Sequence, residues 1–124
     1  MNEKELLWKY PTIFRQKELP MDQTAMCWGI ECGKGWFHII DTLCYHLTAL
    51  TAHEDHPSVE FKQIKEKYGQ LTIYYTDNVS RIQQELIEFA ENLANVTCEH
   101  CGKPGELRDN GWLKTLCDEC NDMK

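Results

Sequence analysis

The residues best placed to do chemistry are four cysteines near the C-terminal end, in Cys98-Glu-His-Cys101 and Cys117-Asp-Glu-Cys120. Their spacing is C-x2-C-x15-C-x2-C, which falls within a pattern recognised for zinc. Two residues between thiolates let the chain curl so that both sulfurs face one ion at ~2.3 Å, as tetrahedral zinc requires. Gly102 and Gly105 relieve the backbone after the first pair. Between the pairs, 106–109 and 112–116 flank Asn110-Gly111, a strong signal for a type I′ hairpin. The expectation is a zinc ribbon holding one structural Zn2+ on Cys98, Cys101, Cys117 and Cys120. Four thiolates complete the coordination sphere and leave no open position for water, so metal hydrolysis is disfavoured. The ribbon is too small to bury a core of its own, and metal binding would provide its folding free energy. An iron–sulfur cluster is the alternative occupant of such ligands, and His100, inside the first pair, is a spectator.

The other candidates have weaker spacing. Cys27, Cys32, His53 and His56 form a candidate second metal site, against which stand a loop thiol pair and two imidazoles near a helix end. Cys44 lies on an apolar stripe and reads as core. Cys27 or Cys32 with His38 is a conceivable nucleophile–base pair, but nothing in the spacing fixes its geometry. Gly33-Lys34-Gly35 is a bare G-x-G with no phosphate-loop context. The chain is accordingly expected to be non-enzymatic, with no catalytic residues. Lys62, Lys65 and Lys67 precede Tyr68, and Tyr74, Arg108, Trp112 and Trp36 add aromatic and basic groups. Lysines beside aromatic rings hold phosphates and stack bases, which makes these eight residues the candidate ligand-binding set. The competing view is that such lysines face solvent and guard a strand edge. Trp28 and Trp36, near three glycines, are candidates for a pocket mouth, with Trp36 alternatively a core anchor.

Elements that must position these groups follow from periodicity. Glu3–Trp8 reads as a short helix ending before Pro11. Residues 1–34 otherwise show no clean period. From Trp36 to about Ala52, Trp36, Phe37, Ile39, Ile40, Leu43, Cys44, Leu47 and Leu50 recur at three- and four-residue steps. Ser58–Tyr75 reads as a hairpin turning near Lys67-Tyr68-Gly69-Gln70, with a bulge where alternation slips between Phe61 and Ile64. Asp77 or Asn78 is the expected cap of a second helix carrying Val79, Ile82, Leu86, Phe89, Ala90 and Leu93, running to about Asn95. The expected fold is α+β, two amphipathic helices on a small antiparallel hairpin sheet. Its divisions are an α+β domain over 1–95 and a zinc-ribbon appendage over 96–124.

Length and charge set limits on function. At 124 residues the chain is the size of one domain, and 42% apolar with 27% charged residues is ordinary globular composition. No apolar run approaches the ~18–20 residues of a membrane span, and MNEKELLWKY lacks a secretory signal, so a soluble cytoplasmic protein is expected. The net charge of −7 is spread over both halves. Around the cysteines, Lys103, Arg108 and Lys114 face Glu99, Glu106, Asp109, Asp118, Glu119 and Asp122. That balance gives no footprint for duplex nucleic acid.

The run Gly35-Trp36-x-x-Ile39-Ile40-Asp41-x-Leu43-Cys44, then Gln63-Ile64-Lys65-Glu66-Lys67-Tyr68-Gly69-x-Leu71-x-x-Tyr74, and finally CEHCGKPGELRDNGWLKTLCDEC, resembles a group of small uncharacterised bacterial, prophage and phage proteins. The resemblance covers about residues 32–120. The group's last ligand position is often His, where this chain has Cys120. The resemblance implies a phage or prophage setting but no established activity. In that setting the expected function is a zinc-binding module that captures a host factor or a small nucleotide-type immune signal. A nucleic-acid-binding or transcription-associated ribbon is the alternative. The partners implied are a host protein or a nucleotide-type ligand, with a homo-oligomer compatible, and neither membrane nor nucleic acid.

Overall fold

Helix α1 (Glu3–Lys9) opens the chain because the Asn2 side chain accepts the Glu5 N–H at 2.8 Å, satisfying one of the free donors of a helix start. It ends at Tyr10, before Pro11. In the computed structural model, which describes residues 1–53 and 55–123, the next two dozen residues wrap the core through short 3₁₀ turns. They bury Phe14 and Met26 beside Leu6 of α1. Phe14 meets Phe61 edge to face at 5.6 Å. A two-residue strand, β1 (Ile30–Glu31), follows, its Ile30 N–H bonded to Glu3 Oε1 at 2.6 Å.

Helix α2 (Phe37–Thr51) buries Phe37, Ile39, Ile40, Leu43, Cys44 and Leu47, the stripe that its periodicity predicts. Burial pushes the Cys44 thiol well above its usual pKa, the state of a core residue. Strands β2 (Phe61–Lys67) and β3 (Gln70–Tyr75) pair antiparallel, and the register slips between Phe61 and Gln63, where the broken alternation places the bulge. Tyr68 and Gly69 join them with φ of 54° and 82°, the paired positive values of a type I′ turn. The sheet is wider than a hairpin. β1 lies parallel to β2 (Ile30 opposite Ile64, Glu31 opposite Lys65), giving the order β1-β2-β3. Two residues are too few to show a period, so this strand has no sequence signature.

Helix α3 (Arg81–Ala94) departs from expectation in two ways. Its cap is Ser80, not Asp77 or Asn78. Ser80 Oγ accepts the Gln83 N–H, and Gln83 Oε1 accepts the Ser80 N–H at 2.8 Å, a reciprocal capping box. Its buried face is Gln83, Ile87, Ala90 and Ala94. Of the expected stripe, Ile82, Phe89 and Leu93 stand exposed. Gln83 tolerates complete burial because its Nε2 also donates to the Pro57 carbonyl at 2.6 Å. On another flank, Glu91 accepts the Ile73 N–H of β3 at 2.9 Å, tying the helix to the sheet edge. The architecture is α+β, and no described helix is long and apolar enough to cross a membrane.

Two stability outcomes follow. Replacing Ser80 with Ala should cost about 1 kcal/mol in chemical denaturation, since it leaves the Gln83 N–H without its cap. Arg15 binds Glu60 through two hydrogen bonds of 3.0 Å and holds that carboxyl below the usual glutamate range. The stabilisation is present above the ordinary glutamate pKa and lost as pH falls through the depressed one. Glu60→Gln should therefore lower stability at neutral pH by less than about 1 kcal/mol, Arg15 being largely exposed, and flatten the acid limb of the stability–pH curve.

Candidate metal centre

The first cysteine pair lies just beyond α3. Cys98 donates its N–H to the Lys103 carbonyl at 2.7 Å and accepts the Gly102 N–H at 2.9 Å, closing a tight knuckle. Gly102 sits there at φ 85°, in the left-handed region. A hairpin of β4 (Glu106–Asp109) and β5 (Leu113–Leu116) then leads to the second pair. Its turn differs from the expected type I′. Asp109 pairs with Leu113, leaving a three-residue connection, and only Gly111, at φ 88°, is left-handed. Asp109 Oδ1 accepts the Gly111 N–H at 3.2 Å, a side-chain bond that stabilises the longer turn. Cys117 begins the five-residue helix α4 (Asp118–Asp122), its sulfur accepting the Cys120 N–H at 3.5 Å.

Together the knuckles bring Cys98, Cys101, Cys117 and Cys120 into one cluster, their sulfurs within 4.8 Å of one another. Cys101 and Cys117 are 3.6 Å apart, far beyond a disulfide bond and close to the ~3.8 Å edge of a tetrahedron with ~2.3 Å metal–sulfur bonds. The electrostatics suit a cation. Burial alone would raise the Cys98 thiol, yet N–H groups of Cys117, Cys101 and His100 outweigh it and bring it down to about 6. Cys120 is pushed up to about 12 by desolvation and by its neighbouring thiols. One thiolate forms readily while Cys101 and Cys120 resist adding like charge beside it, and a divalent ion relieves that resistance. Four cysteines so arranged could hold a metal ion. His100 is exposed and outside the cluster.

The ribbon is bonded closely to the body of the fold. Gly35 donates its N–H to the Glu99 carbonyl at 2.7 Å, and Gly33 donates to the Glu99 carboxylate at 2.8 Å. A Cβ at Gly35 would collide with the backbone of Cys98 and Glu99, so only glycine allows this approach. Trp36 is fully buried, and its Nε1 donates to the Thr97 carbonyl at 2.8 Å. Lys114 of β5 lies between Glu66 of β2 (3.3 Å) and Glu99 (3.4 Å). Thr115 Oγ1 donates to the Gly69 carbonyl of the β2–β3 turn at 2.7 Å.

This docking sorts the eight candidate ligand residues. Lys65, Lys67, Tyr68 and Trp112 line one groove of about 490 Å³ between the β2–β3 turn and the ribbon tip, with Glu66, Gly111 and Leu113 completing it. Tyr68 is 71% exposed and Trp112 69%, so both rings are open to a ligand. Lys62 and Tyr74 lie elsewhere on the sheet and do not line it. Arg108 is engaged by Asp118 at 2.7 Å and Glu106 at 3.5 Å. Trp36 belongs to the core, and Trp28 is exposed away from it, so the two do not share a pocket mouth.

The second metal site does not assemble. Among the described residues the four C-terminal cysteines are the only ligand-competent cluster. Cys27 donates to the Thr24 carbonyl, and His56 Nδ1 lies 3.0 Å from Ser80 Oγ. Cys32 is pushed up to about 12, first by burial and then by Glu99, Glu3 and Glu66, which removes it as a nucleophile near neutrality. Sequence reasoning missed Lys114, Glu66 and Glu99 as a docking cluster. Their partners are distant in sequence, and an alternating-charge stretch carries no mark of which charges are buried.

Comparisons with family models, with curated proteins and with solved structures found no match to this chain.

Metal analysis of the purified protein should return one zinc per chain. Cys117→Ser should abolish it and cost about 5 kcal/mol or more in stability, on the order of a small domain's whole margin. Retained stability and retained zinc would both contradict the assignment.

Proposed function

We propose that this chain is a zinc-stapled binding module, non-enzymatic, whose groove between the β2–β3 turn and the ribbon tip captures a nucleotide-type anion. The observation supporting this is the fold-back of the ribbon, which brings Trp112 beside Lys65, Lys67 and Tyr68. Lys9, Arg15, Lys17, Arg81, Lys103, Arg108 and Lys114 are in ion pairs, whereas Lys65 and Lys67, like Lys4, Lys34 and Lys62, make none among the described residues. Glu66 lies between them in sequence, but its carboxylate binds Lys114. The groove is thus a local cationic spot on a chain of net charge −7. Ammonium groups give charge-assisted bonds to a phosphate, and the exposed rings of Tyr68 and Trp112 give faces for a base.

Four thiolates fill a tetrahedral metal, so the zinc's role is to hold the hairpin that carries Trp112. In the phage or prophage setting that the resemblance implies, the ligand is a nucleotide-type immune signal or a host factor displaying one, and the module acts by sequestering it.

Titration calorimetry of the metal-loaded protein against mono-, di- and cyclic nucleotides tests this. At least one should bind, the joint Lys65→Ala/Lys67→Ala variant should weaken it at least tenfold, and Trp112→Ala should remove about 1–3 kcal/mol. Lys62→Ala, outside the groove, should change little. Binding to none of them, or binding that ignores Lys65, Lys67 and Trp112, would overturn the proposal.

A further inference from the structure

Asparagine followed by glycine is a labile pair, because glycine puts no side chain in the way of its own backbone nitrogen. That nitrogen can attack the asparagine side-chain carbonyl and close a cyclic imide. This chain holds one such pair, Asn110-Gly111, at the tip of the β4–β5 hairpin. Asn2, Asn78, Asn92, Asn95 and Asn121 are followed by Glu3, Val79, Leu93, Val96 and Asp122, whose side chains hinder the same attack.

The turn adds to what the pair alone offers. Asn110 and Gly111 are both exposed, and a Cβ at Gly111 would meet nothing within 4 Å, so the ring has room to close. Asp109 Oδ1 accepts the Gly111 N–H at 3.2 Å, which sets a carboxylate on the proton that must leave the attacking nitrogen. The Asn110 carboxamide is also held, its Nδ2 donating to Asn121 Oδ1 at 2.9 Å.

We infer that Asn110 is a site of spontaneous deamidation, with Asp109 as the general base. The Gly111 nitrogen bonds to Asn110 Cγ and gives its proton to Asp109. The side-chain nitrogen takes that proton and leaves as ammonia. Water then opens the imide at either carbonyl, giving aspartate or isoaspartate. The net change is one water consumed and one ammonia released. Either product replaces the Nδ2 donor to Asn121 with a carboxylate oxygen. It also adds a negative charge beside Gly111 and Trp112, which line the groove with Lys65 and Lys67. Weaker anion capture by the converted protein rests on the proposed function; the conversion itself does not.

Peptide mapping of the metal-loaded protein, aged at neutral pH, tests this. Trypsin cuts after Arg108 and Lys114 and so isolates DNGWLK, in which Asn110 is the sole asparagine. That peptide should gain the mass that separates an acid from its amide, at least tenfold faster than peptides carrying the other asparagines. In heavy-oxygen water the product should hold one heavy oxygen, and isoaspartyl methyltransferase should label part of it. Asp109→Ala should slow the conversion at least threefold, although loosening the turn would by itself speed it. Asn110→Gln, whose longer side chain closes the ring poorly, should stay unconverted with unchanged circular dichroism. Conversion of Asn110 no faster than that of the other asparagines, a product without isoaspartate, or a rate that Asp109→Ala leaves equal or raised would overturn the inference.

Discussion

The contact on which the rest of the molecule depends is the meeting of two backbone segments, Gly33–Trp36 and Thr97–Glu99. Three hydrogen bonds of 2.7–2.8 Å cross it, from the Gly35 N–H, the Gly33 N–H and the Trp36 indole. On one side the chain enters α2 and the hydrophobic core. On the other it enters the first cysteine knuckle. Any ion held by Cys98 is therefore one residue from a carbonyl and carboxylate fixed to the body of the fold. The cysteine knuckle and the core are mechanically joined here, and the absence of a Cβ at Gly35 is what lets them approach.

From that contact the ribbon is carried back across the sheet. Lys114 is placed between Glu66 and Glu99, and Thr115 bonds to the Gly69 carbonyl at the β2–β3 turn. The hairpin tip then lies beside Lys65, Lys67 and Tyr68. Tyr68 itself sits at φ 54°, a costly backbone for a non-glycine residue. The type I′ turn holds it there with its ring in solvent. The groove thus arises from two hairpins that are remote in sequence, held by an ion-pair cluster and carried on knuckles whose four cysteines could hold a metal.

Much of this was legible in the residues. The C-x2-C spacing pointed to the cysteine cluster because knuckle geometry is local, and the apolar period of α2 pointed to the face that is buried. The hairpin bulge was equally readable, since one slipped residue inverts the alternation. What escaped has a common physical cause: pairing at long range. β1 gains its identity only from β2, and Leu6, Phe14 and Met26 enter the core from segments without a period. Periodicity showed that α3 is amphipathic but not which of two stripes faces inward. The smaller one does, because Gln83 brings its own hydrogen-bond partners into the interior. The Asn110-Gly111 pair marked a turn correctly, while its length depended on the Asp109 side chain.

The most direct measurement is residue-resolved hydrogen exchange on the metal-loaded chain before and after chelation. The Gly35 N–H, bonded to the Glu99 carbonyl, reports the joint between metal and core. Chelation should strip protection from Gly35 together with Cys98–Gly102 and Leu113–Leu116, while Ile40–Leu47 of α2 stays protected. Loss confined to the ribbon, with Gly35 still slow to exchange, would show that the metal does not hold the joint, and would contradict the account.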